Sequence, residues 1–183
     1  MAKRAGELGK DDALALCTSG HALAYVVGDL DTGAAFIDRA LVLNPNLAWA
    51  WLFSGWVKVW LGEPEAAIER VTRAMRLSPH DPQIFNMQSA MASAHFFAGR
   101  SAEASSWADM ALREEPNYLT PLRIAATTNA LAGRLEEAQK VMARLRQLDP
   151  ALRVSNLPDV IPLRRPEDLA RYIEGLRKAG LPE

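Results

Sequence analysis

The side chains of this 183-residue chain best suited to metal binding or nucleophilic attack are three histidines and one cysteine. His21, His80 and His95 lie far apart in the chain, and none belongs to a recognised metal-ligand pattern. Cys17 sits in an apolar run and reads as a small core residue. Gly9-Lys10 lacks the upstream glycine of a phosphate-cradling loop, and the G-x-S-x-G nucleophile motif is missing. The carboxylate pairs Glu114–Glu115 and Glu136–Glu137 read as solvated helix surface rather than acid–base pairs. These residues predict no catalytic constellation, no metal and no cofactor.

Tryptophan is the more distinctive chemistry. Four of the five, Trp49, Trp51, Trp56 and Trp60, fall within one predicted helix. Trp49, Leu52, Trp56 and Trp60 follow one another at spacings of three, four and four, which puts them on one stripe. Tryptophan buries a large area at low entropy cost and is enriched at binding hot spots. The stripe is open to two readings: a recognition surface, or rings packed under flanking helices.

The chain that positions these rings is 49% hydrophobic, mostly through alanine and leucine, 23% charged and 7% aromatic. β-Branched and aromatic residues are too sparse for a β-sandwich, and the apolar fraction is too high for disorder. A net charge of -1 argues against a nucleic-acid surface, and the Arg70, Arg73, Arg76 cluster is interrupted by Glu69. The longest apolar run, Leu47 to Leu61, is short of the ~20 residues needed to cross a bilayer. The N-terminus has no apolar signal-peptide region, and a lone cysteine suits a reducing compartment, so a cytoplasmic setting is expected.

The main pattern is internal repetition. Gly28, Gly62, Gly99 and Gly133 are spaced by 34, 37 and 34, and Pro45, Pro79, Pro116 and Pro150 each follow by 17. Between these markers small residues recur at Gly33, Ala67, Ala104 and Ala138, and seven positions later at Ala40, Ala74 and Ala111, with Leu145 in the fourth copy. This predicts two antiparallel helices per unit: glycine for the turn, small residues for close contact, proline to stop the unit. Asn46 and Asp81 are candidate caps for the helices that follow. The longer spacing falls in Pro79-His80-Asp81-Pro82, predicting a longer connection there or an extra turn at the start of the next helix.

On these residues the chain resembles the tetratricopeptide-repeat (TPR) family. Trp51, Gly55, Ala67, Ala74 and Pro79 match its pattern best; Leu122, Ala126, Ala138 and Pro150 follow it, and in the first copy Cys17 and His21 stand in for the aromatic and small residues. The resemblance implies an all-α, right-handed α-solenoid of about four repeats, at 14–47, 48–81, 82–118 and 119–150. It places Trp51 and Gly55 in the core. It also implies that the first helix of each unit lines a concave groove, at Tyr25, Trp49, Leu52, Trp56, Trp60, Asn86, Ser93, Phe97, Arg123 and Thr127. Of the charged clamp that family members use for a peptide carboxylate, only Asn86 and Arg123 qualify, so a hydrophobic protein segment suits the groove better. The implied function is non-enzymatic protein binding. Self-association and small-molecule sensing are the alternatives. Trp56→Ala is expected to weaken partner capture without unfolding.

The ends depart from the repeat. Ala5 and Leu8 repeat the spacing that closes later units, so residues 1–13 read as the tail of a preceding helix or as an N-terminal cap. Residues 151–165 read as a linker, and 166–183 as a helix with Leu169, Tyr172, Ile173 and Leu176 on one stripe, expected to cap the last repeat. The stretches 164–170 and 174–181, with Trp51 to Trp56, resemble the repeat region behind the catalytic domain of some bacterial class III adenylate cyclases. That resemblance implies a regulatory or interaction module of a signalling protein.

Overall fold

The computed structural model describes residues 11–183, and these form helices without a strand. Helix α1, Ala13–Ala22, runs on into a π-helical turn, Leu23–Val27; α2 is Leu30–Leu43. Three further pairs follow: α3 Ala48–Leu61 with α4 Pro64–Leu77, α5 Ile84–Phe97 with α6 Ser101–Glu114, and α7 Leu119–Leu131 with α8 Leu135–Leu148. The chain then makes a 3-10 turn, Val154–Asn156, a short helix α9, Leu157–Val160, and a last helix α10, Pro166–Lys178. The expected tail formed by Ala5 and Leu8 lies outside the described residues.

The boundaries follow from local chemistry. Asp12 caps α1 by accepting from the Leu14 and Ala15 amides, and Asp29 caps α2 through the Thr32 amide. Gly28, Gly62, Gly99 and Gly133 all sit at φ of 77–79°, the left-handed turn that glycine adopts without strain. Each second helix stops two residues before its proline, and the intervening Asn44, Ser78, Glu115 and Asp149 all leave the helical region, which a following proline disfavours. Asn46 and Asp81 do not cap. Leu47 and Gln83 hold the cap positions, while Asn44 and Asp81 tie the preceding turns through the Asn46 and Gln83 amides. Two of the three extra residues lie in the connection Ser78–Gln83, against Asn44–Leu47 and Glu115–Tyr118 elsewhere, the third is Ala98 between α5 and Gly99, and α5 gains no extra turn.

Consecutive first helices, α1, α3, α5 and α7, pack on one another, whereas the second helices pack mainly on first helices. The stack therefore curves with the first helices inside. Those helices bury residues almost all round, as α3 does from Ala50 to Trp60, while α4 buries only Ala67, Val71 and Ala74.

Repeat one carries an extra residue. Its close contact is made by Gly20, whose added Cβ would lie 2.7 Å from the Gly33 carbonyl oxygen, as Gly55 meets Val71 in repeat two. Gly20 stands eight positions before its turn glycine and Gly55 seven. The π-helical turn takes up the difference. Gly20, rather than His21, therefore fills the small-residue place.

The C-terminal part returns over the concave side. Residues 151–165 are no solvated linker: Leu152, Val154 and Leu157 are buried in the core of repeats three and four. Helix α10 packs on α7, the first helix of repeat four, and not chiefly on α8, where an end cap would sit. Gly175 permits this, because a Cβ there would lie 2.3 Å from Thr127 Cγ2. Further along, the Arg164 amide donates to the Trp60 carbonyl at 2.8 Å, and Arg164 pairs with Asp31 at 2.8 Å. The segment thus reaches from repeat four back to repeat one.

Candidate functional site

Between the first helices and this returning segment lies a cavity of about 340 Å³. Its aromatic wall comes from repeats one and two. Trp56 and Trp60 stack at 5.9 Å between ring centres, and Tyr25 stacks on Trp60 at 5.4 Å. His21 stacks on Phe53 at 4.0 Å and reaches Trp60 at 5.8 Å. Phe97 also lines the cavity, with Ile161 and Tyr172 of the returning segment. At the polar end, Asn86 Oδ1 accepts from Trp56 Nε1 at 2.9 Å and from the Tyr118 hydroxyl at 3.3 Å. Arg123 lies in the same wall, and its Nη2 donates to Thr120 Oγ1 at 3.1 Å.

No family model and no curated protein matches the chain. Solved structures do. PilW, a widely conserved type IV pilus biogenesis factor, aligns over 97% of this chain and 78% of its own at 17% identity, with a TM-score of 0.73. TTC0263, a thermophilic TPR protein in Thermus thermophilus, aligns over 91% of each chain at 21% identity, with a TM-score of 0.67. The fold is that of a tetratricopeptide-repeat solenoid. YrrB, a TPR protein with an unusual peptide-binding site, aligns over 97% of this chain and 90% of its own at 21% identity and a TM-score of 0.58.

On this TPR frame seven of the ten groove positions line the cavity: Tyr25, Trp56, Trp60, Asn86, Ser93, Phe97 and Arg123. Three do not. Leu52 is buried in the core, Trp49 is half-buried with its ring edge-on to Phe53 at 5.2 Å, and Thr127 is covered by Gly175. Trp51, expected in the core, is half-buried: its Nε1 donates to the Pro45 carbonyl at 2.8 Å and the Arg70 guanidinium lies over its ring. Trp56 is only 7% exposed, so its removal leaves a large hole and is no neutral probe of binding. His21 escapes the sequence pattern because the repeat spacing assigns it the small-residue place that Gly20 in fact fills; the adjacent Gly20 is the available signal. Tyr118 and Tyr172 escape it too, since they reach the cavity from a connection and from the C-terminal helix.

Burial sets the ionisation of Cys17, His21 and Tyr118. Cys17 and His21 stand one helical turn apart, yet the thiol is fully buried and burial pushes it up to about 12. Burial lowers His21 to about 4, which leaves a neutral ring at the cavity. Burial also raises the Tyr118 phenol. Among the described residues no group of three His, Cys, Asp or Glu side chains is placed to hold a metal, and no helix is long and apolar enough to cross a membrane.

Proposed function

We propose that this chain is a non-enzymatic protein-interaction module that takes a hydrophobic segment of a partner protein on its concave side. The observation that carries the reading is the accessible aromatic wall of repeats one and two, where Tyr25 is 43% exposed while stacked on Trp60. Rigid, half-open rings are what hot spots are made of. A TPR protein of the same fold, YrrB, is described as having an unusual peptide-binding site, which supports the reading by analogy of fold. The sequence resemblance of residues 164–181 to the region behind class III adenylate cyclases supports a regulatory place in a bacterial signalling protein.

Selection of linear peptides from a random library tests the binding reading. Apolar peptides should be enriched, and Tyr25→Asp should weaken them about tenfold or more with little change in melting temperature. No enrichment, or indifference to Tyr25→Asp, overturns it. Self-association is favoured by one separate observation: Leu14, Val42 and Leu43 are all exposed on repeat one. Sedimentation over a concentration range decides it, and a monomer throughout removes the reading.

A further inference from the structure

We infer that the cavity closed between the repeats and the returning C-terminal segment is a binding site for a small aromatic monocarboxylic acid. Its volume of about 340 Å³ is at the lower end of the roughly 300–1,000 Å³ of small-molecule sites. Its walls favour a flat guest: Trp56 and Trp60 are inclined by only 20°, and Tyr25 and Trp60 by 21°.

The polar end asks for an acceptor. An indole N–H only donates, so its bond at 2.9 Å fixes Oδ1 as the atom Asn86 turns to Trp56, and the Tyr118 hydroxyl donates to the same oxygen. Among the described residues the Asn86 side-chain amide nitrogen donates no hydrogen bond, since that side chain takes part only through Oδ1. Arg123 is 5% exposed, its Nε has no hydrogen-bond partner, and no carboxylate among the described residues lies within ion-pair distance of it. A buried guanidinium without a counter-charge is costly, and its planar fork matches a carboxylate. Among the described residues Asp149 is the single carboxylate that lines the cavity, half-buried and outside ion-pair range of Arg123, so a second negative charge on the guest would meet repulsion. Burial pushes the Tyr172 phenol up to about 12, and the Arg123 guanidinium, hydrogen-bonded to that phenol, opposes the shift in part.

Titration calorimetry with tryptophan fluorescence on the full chain tests this, using 2-naphthoate and its neutral analogue 2-naphthalenemethanol. Saturable one-to-one binding of naphthoate is expected, with the alcohol weaker by about tenfold or more, the scale of a charge-assisted hydrogen bond. Arg123→Met, checked for folding by circular dichroism, should erase the preference for the acid. Binding of neither probe, equal binding of both, or an unchanged preference in Arg123→Met overturns the inference. If Arg123→Met does not fold, the comparison of acid and alcohol on the unaltered chain decides alone. A peptide with a C-terminal phenylalanine carboxylate that binds more tightly than naphthoate would move the site from free acids to peptide ends and overturn it too. The probes contain no protein, so their failure leaves the protein-interaction reading standing.

Discussion

The two halves of the concave face treat one row of equivalent positions in opposite ways. The residue after each close-packed small residue is His21 in repeat one, Trp56 in repeat two, Ser93 in repeat three and Thr127 in repeat four. In the first half these are rings that stack and leave the wall open to a guest. In the second half they are short hydroxyls that spend their donors on their own helix, Ser93 on the Ser89 carbonyl and Thr127 on the Arg123 carbonyl. The space they leave is taken by helix α10, with Gly175 on Thr127 and Tyr172 against Phe96 at 5.9 Å. One half of the groove is thus filled by the chain itself, and the cavity lies where the filled half meets the aromatic half.

The sharpest way to break this contrast is Tyr172→Ala. The ring is almost wholly buried, so its loss should cost about 3–5 kcal/mol, read by urea denaturation. Tyr25→Ala, in the open half, should cost about 1 kcal/mol or less. Similar costs for the two would mean that the halves are not differently packed.

Next in size is a pH effect confined to the aromatic half. His21 titrates near 4 in the fold and near 6.5 in an unfolded chain. Between those values the unfolded chain binds a proton that the fold refuses. The His21 contribution is therefore fully present above about pH 6.5 and lost as pH falls toward about 4, by up to about 3 kcal/mol. Burial lowers His95 as well, so the measurement is the difference between the unaltered chain and His21→Phe, which keeps a ring against Phe53. A difference that stays flat between pH 6.5 and 4 would show that the His21 ring is solvated.

The repeat was legible because three independent requirements recur together: glycine at the turn, a small residue at the helix contact, proline at the stop. Departures from that rule were not. In repeat one the extra residue is hidden inside a helix, since a π-helical turn changes the register without changing residue types. The stripe Leu169, Tyr172, Ile173 and Leu176 says that one face of α10 is buried and is silent on the surface that buries it. Its docking on α7 depends on Gly175 meeting Thr127, two positions 48 apart that no local pattern links. The tryptophan stripe mixed core with cavity for a related reason. Spacings of three and four define a face about a third of a helix wide, and within it Leu52 turns to the neighbouring helices while Trp56 and Trp60 turn to the cavity.

The smallest expected effect concerns the far end of the returning segment. Arg164 reaches Asp31 of repeat one across 133 positions, the longest side-chain contact in sequence among the described hydrogen bonds. Both partners are well exposed, so water already screens the pair, and Asp31→Asn should leave the melting temperature unchanged. The backbone bond from the Arg164 amide to the Trp60 carbonyl does not depend on that charge and should hold the segment in place. Hydrogen exchange at the Arg164 amide separates the two: protection should persist in Asp31→Asn and fall in Tyr172→Ala. If Asp31→Asn alone exposes that amide, the segment is tethered by its tip rather than anchored by α10, and the filled half of the groove is then a latch that a change of charge at one surface residue could open.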